Sequence, residues 1–470
     1  MKHKKGGIFI FTVVCMMFWL IPLTSSAATE YPLTVNGIQV TEDNAGDVLG
    51  DGTVSYDAVG KTLILNGATI TTSERDTYPG IDCKEDLTII LQGQNKIEMG
   101  AASMSNGITA EKNLTIKGEG SLDIISPGNS IWCKDILTID GAELTADSRT
   151  STTDAASVKG DNGIVVRNGA DVEAMASGEG PGLYVANSAT DVNEEIDITD
   201  STVTVTSDYG DGIITDDDIT ITNSTVNVTT GWNGIYSWLG DINISGKSTV
   251  TVDTEQSGVC AAEGDVSISE SEFTGTTTYP SIRADAQNIY ITGGTVTASA
   301  ADDYAIFAYG EAKISGGTVL DITGSKGIGA EPVSLENVKG SINIEGADQA
   351  CIYSWSDISF TDCDELSLHG DLAVNAEKDI TINTSNLEIF GDEPLYADKD
   401  LSITDSQITV EAERRPIMAK DGTLTFDGET TSVKATGSWF INGSKIEIKN
   451  GTIDVDVTAD RKRNGCCVCE

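Results

Sequence analysis

A unit of about 22 residues recurs along most of this chain, and self-similarity at that period commits it to a stacked-repeat architecture. Three copies show the pattern: DGIITDDDITITNSTVNVTT from Asp211, NGIYSWLGDINISGKSTVTVDT from Asn233 and EPLYADKDLSITDSQITVEA from Glu393. Each begins with an aliphatic anchor (Ile213, Ile235, Leu395) and a small residue two positions later (Thr215, Ser237, Ala397). A turn, a second apolar strand, a Gly/Asn/Asp/Ser turn and a third Thr/Val-rich strand follow. Side chains alternate faces along a strand, so anchor and small residue face inward together and the residue between them faces out.

Three short strands per unit, each stacking on its counterpart in the next, predict an all-β fold. The expected form is a single-stranded parallel β-helix of about 16 coils, right-handed as parallel crossovers are. The anchors read along the chain include Ile81, Ile108, Ile131, Ile164, Leu183, Ile213 and, last, Phe440. Spacing is regular after Ile213 and irregular between Ile131 and Ile213, with loops around 148–160 and 177–181.

The ends read differently. Lys2, Lys4 and Lys5 precede an apolar run and then Ser25-Ser26-Ala27-Ala28, the layout of a secretory signal peptide over residues 1–28. The expected location is extracellular, with association to the cell surface. Residues 29–75 read as a small N-terminal β cap leading into the first coil, 76–458 as the β-helix, and 459–470 as a tail. That tail carries Cys466, Cys467 and Cys469, read either as a metal-capture or dimerisation element or as an accidental end. Cys83 and Cys133 fall at equivalent inward positions with a coil between them, too far apart to bond.

The net charge of -44 repels phosphate-rich partners, which excludes nucleic acid and anionic membranes. It also repels acidic glycans unless calcium bridges them. A polysaccharide partner is therefore expected to be neutral or calcium-bridged.

Aromatic residues concentrate beside the anchors: Trp132, Trp232, Trp238, Trp355 and Trp439 all lie within three residues of one. Outward positions of the first strand carry Trp132, Tyr184, the pairs Tyr236/Trp238, Phe307/Tyr309 and Tyr353/Trp355, and Tyr396. Rings two coils apart, about 10 Å by strand spacing, suit stacking on pyranose faces. They equally suit stacking on one another to brace the ladder. A second row of Asp and Asn precedes the second strand, among them Asp218, Asp241, Asp265, Asn288, Asp357, Asp379 and Asp400, and turn chemistry accounts for it. The alternative to turn chemistry is calcium capture by stacked carboxylates, for which Asp216, Asp217 and Asp218 are the candidate ligands; no other cofactor is expected.

The segment 31–70 and the repeats resemble secreted Firmicutes surface proteins with a pectate-lyase-like right-handed β-helix, often described as carbohydrate-binding. The resemblance covers nearly all of the chain after the leader, and it implies the fold more strongly than the function. Such proteins often carry a wall-anchoring segment, and no such segment is read here. The run Leu368-His369-Gly370-Asp371 touches the His-Gly element of galacturonan hydrolases without its companion motifs. A lyase would use an arginine base beside acidic groups, for which Arg283 and Arg167 are the candidates. The leading expectation is a non-catalytic polysaccharide-binding protein with an aromatic face. The alternatives are a lyase or glycoside hydrolase with its site near the irregular loops at 145–200, and a surface spacer or adhesin that binds a protein.

Overall fold

The computed structural model describes residues 28–73, 76–100, 105–150, 154–185, 195–346 and 349–458. The segment read as a signal peptide, before Ala28, and the cysteine-bearing segment from residue 459 lie outside those residues. All regular structure in the described residues is strand, and the strands join one continuous network. In the regular turns, corresponding strands of successive turns pair in parallel with no offset. Ile213–Thr215 lies on Ile235–Ser237, Ile219–Thr222 on Ile242–Ser245, and Thr225–Thr230 on Thr249–Thr254. The chain is thus a parallel β-solenoid of about sixteen turns, its sides an anchor sheet, a second sheet and a third sheet.

The inward alternation holds along the regular turns. Ile235, Ile306 and Ile352 are each 0% exposed, as are the corner residues Thr215, Ser237 and Ser354 two positions on. The corner needs a small side chain that can also satisfy the turn. Ser237 Oγ donates within reach of the Asp217 and Gly240 carbonyls (2.8 and 3.0 Å), and Cys133 Sγ donates to the Lys112 carbonyl. Between the second and third sheets the chain turns through a left-handed residue, for example Asn223, Lys247 and Glu270 at φ 50, 65 and 47°. A buried serine follows each of them, and its hydroxyl accepts the backbone N–H of the previous turn: Ser224 from Ser201, Ser248 from Ser224, Ser271 from Ser248. Polar atoms at these corners are paired between turns, which is what burial demands of them.

Two anchors differ from the sequence reading. Val158, not Ile164, lies under Ile131 and over Leu183, while Ile164 is buried in the second sheet between Leu137 and Ile196. With Val158 in place the irregular interval divides more evenly. Phe440 is 60% exposed, because the pairing of Met418 with Asn442 puts Ile441 in the anchor position. A slip of one residue moves a side chain to the opposite face.

At the N-terminal end Glu30–Val35 runs antiparallel to Ile81–Cys83 and buries Leu33 and Val35 against the first turn. At the other end Ile446 and Ile448 of the strand Asn442–Ile448 are exposed.

Candidate functional site

The residues between anchor and corner form an outer file on the anchor sheet, one per turn. Tyr236, Cys260, Arg283, Phe307, Gly329, Tyr353, Asn375 and Tyr396 follow one another in register. Two residues along the chain, Trp238, Tyr309 and Trp355 flank the file. Within each expected pair the rings meet edge to face: Tyr236 and Trp238 at 5.0 Å and 85°, Phe307 and Tyr309 at 5.1 Å and 85°, Tyr353 and Trp355 at 5.0 Å and 82°. One ring of a pair supports the other, an arrangement the aromatic quadrupole favours. Trp238 (51%) and Tyr309 (64%) are the exposed members, and Tyr236, Phe307, Tyr353 and Trp355 are half-buried.

The ring patch is larger than the outward alternation implied, because Tyr304 joins it. The strand Thr295–Ala308 runs from the third sheet into the anchor sheet without a break, and its register shifts between Ala300 and Tyr304. Such a bulge re-aims side chains. Here it lays the Tyr304 ring over Gly329, where an added Cβ would stand 2.7 Å from that ring. Tyr304 then contacts Phe307 at 5.8 Å and Trp355 at 6.2 Å, and Phe307 meets Trp355 at 6.0 Å. Lys326 Nζ sits 4.8 Å from the Tyr304 ring centroid, and burial pushes the Tyr304 hydroxyl up to about 12. No strand periodicity could have flagged Tyr304, since it falls at a bulge.

Carboxylates border the patch. Tyr353 Oη donates to Glu377 Oε1 at 2.6 Å and Tyr396 Oη to Asp398 Oδ1 at 2.8 Å. Between the Tyr236 and Phe307 rings the file is closed over: Cys260 is 2% exposed, and burial pushes its thiol up to about 12. Nearer the N-terminus, Lys159 Nζ lies between the Trp132 and Tyr184 rings (5.3 and 5.2 Å), and Trp132 Nε1 donates to Asp161. These four residues are therefore tied to one another.

The acidic row does structural work between turns. Asp218 Oδ1 accepts the Asp241 N–H, Asp241 that of Asp265, and Asp265 that of Asn288. The series resumes from Asp357 through Asp379 to Asp400. Among the described residues no group of three or more His, Cys, Asp or Glu side chains is placed to hold a metal ion.

The candidate catalytic residues are likewise engaged. Arg283 Nε donates to Asp285 Oδ1 at 2.6 Å; burial works against its charge, but Asp285 prevails and holds the guanidinium protonated. Arg167 pairs with Asp140 at 3.0 Å, and His369 stacks on Phe390 with ring centroids 4.2 Å apart. Parts of the 145–200 stretch, residues 151–153 and 186–194, lie outside the described residues.

A family model described as "Carbohydrate-binding domain-containing protein" matches residues 46–327, more than half of the chain. That span includes Tyr236, Trp238, Tyr304, Phe307 and Tyr309. No curated protein and no solved structure gives a significant match.

Proposed function

Since the chain belongs to the family of carbohydrate-binding domain-containing proteins, we propose that it is a secreted, non-catalytic protein that holds a neutral polysaccharide against the outer ring file of its anchor sheet. The observation that carries this reading is the joined patch of Tyr304, Phe307, Tyr309, Tyr353 and Trp355. Exposed rings braced from behind by other rings give flat apolar contact at little entropic cost, and the bordering Glu377 and Asp398 offer acceptors for sugar hydroxyls. Trp238 repeats the arrangement three turns earlier, so an extended chain lying along the solenoid axis meets rings at intervals. The handedness is taken as right-handed and the N-terminal strands as a cap on the first turn.

A negative surface disfavours acidic glycans, so binding to polygalacturonate is expected to need added calcium as a bridge. The salt bridges on Arg283 and Arg167 favour binding over catalysis. The test is a panel of neutral and acidic polysaccharides incubated with the mature protein, with and without calcium. Retention on a neutral glycan without release of reducing ends or unsaturated uronates is the expected result. Turnover abolished by replacing Arg283 or Arg167 would establish the enzyme instead.

A further inference from the structure

A second ring-walled groove lies around the corner from the outer file, where the chain enters the anchor strands. It occupies about 530 Å³ and draws its lining from four successive turns: Glu179, Tyr209 with Asp211, Trp232, and Glu255 with Gln256. Its floor is backbone. An added Cβ at Gly210 would lie 2.4 Å from the Gly180 carbonyl oxygen, and one at Gly231 would lie 2.2 Å from that of Asp208. Glycine alone lets the turns approach this closely. On that low floor Tyr209 (67% exposed) and Trp232 (49% exposed) stand as walls. Neither occupies an outer-file position, and large rings so exposed on a recessed surface are not explained by the core.

The polar lining is acceptor-rich and carries no lysine or arginine. Asp211 is held in place, since the Asn233 backbone N–H and Nδ2 both donate to its Oδ1 (3.2 and 3.0 Å). Among the described residues both bonds fall on Oδ1, so Oδ2 is the acceptor left for a ligand. Two rings, three carboxylates and one amide suit a ligand with an apolar ring face and hydroxyl donors at its edge. They repel an anionic one.

We propose that Tyr209 and Trp232 wall a subsite for a neutral pyranose within a glycan chain, with Glu179, Asp211 and Glu255 accepting its hydroxyls. Tyr279, 40% exposed on the same corner two turns past Trp232, supplies the next ring about 10 Å along the axis. This deepens the polysaccharide reading and rests on it.

Calorimetric titration with soluble neutral hexasaccharides (cello-, xylo-, manno- and maltohexaose) tests the subsite. The wild type is expected to bind at least one, and Tyr209→Ala/Trp232→Ala to lose at least tenfold in affinity. Trp439→Ala, which removes an exposed ring near the far end of the solenoid, should stay within about threefold, and Trp232→Phe should retain binding if the ring is what matters. Circular dichroism of each variant checks the fold. If Tyr209→Ala/Trp232→Ala binds as the wild type does, or if the wild type is retained on an insoluble glycan yet binds no hexasaccharide, the subsite is refuted and the polysaccharide reading survives. If the wild type binds neither form of glycan, both fall together.

Discussion

The backbone N–H of Asp241 donates to Asp218 Oδ1 at 2.7 Å, so the side chain of one turn satisfies the backbone of the next. Repeated through Asp265 and Asn288, the bond makes the Asx row a seam that locks turn to turn. Asp241→Ala leaves the Asp265 N–H without its acceptor and should cost about 1 kcal/mol in urea denaturation. Asp241→Asn keeps a carbonyl oxygen in place and should cost less than half of that. Equal losses for the two would mean that the row acts through charge.

Cys260 faces outward but is shielded between Tyr236 and Arg283. Maleimide labelling of the native protein, followed by peptide mapping, should leave Cys260 unmodified. Tyr236→Ala should expose it and raise its labelling at least tenfold while Cys133, deep in the core, stays protected. If Cys260 stays inert in the variant, the ring is not its cover.

Gly329 gives the Tyr304 ring its seat. Gly329→Ala should displace that ring and cost about 1–3 kcal/mol, the range for overpacking. Adding Tyr304→Ala should relieve the clash, so that the double variant loses less than the two single changes summed. Additive losses would show that the two residues do not interact.

These sites also show what the sequence disclosed. Anchors such as Ile213 and Ile235 were legible because burial on a period-two strand leaves an aliphatic residue at every repeat. Val158 was not, because two aliphatic residues bracket an insertion there and periodicity cannot choose between them. The ring pairs were found by alternation. Tyr304, at a bulge, and Tyr209, in a corner of variable length, have no fixed repeat position and became visible only once the turns were stacked. The Asp and Asn row was read as local turn chemistry. Its acceptors reach the following turn instead, a partner about 23 residues away that a local pattern does not reveal.

Burial raises the Asp211 carboxyl above its ordinary value. The folded chain thus favours the protonated form, a contribution fully present below the unfolded-state value near 3.9 and lost as pH rises through the folded value. Asp211→Asn keeps an oxygen for Asn233 and removes this dependence. Relative to wild type it should be more stable at pH 7 than at pH 3, measured by denaturant midpoints at both. A variant with the same relative stability at both would show that burial does not raise the Asp211 carboxyl.

Retention on an insoluble neutral glycan, compared between wild type and Trp238→Ala/Tyr309→Ala, tests the ring-file account most directly. These two rings are the exposed members of their pairs, so their removal leaves the core untouched. Binding energy concentrates in such rings, and the variant should lose about 2 kcal/mol, roughly thirtyfold in affinity, with its β-sheet circular dichroism unchanged. Equal retention of the two proteins, both folded, would show that the outer rings only brace the ladder.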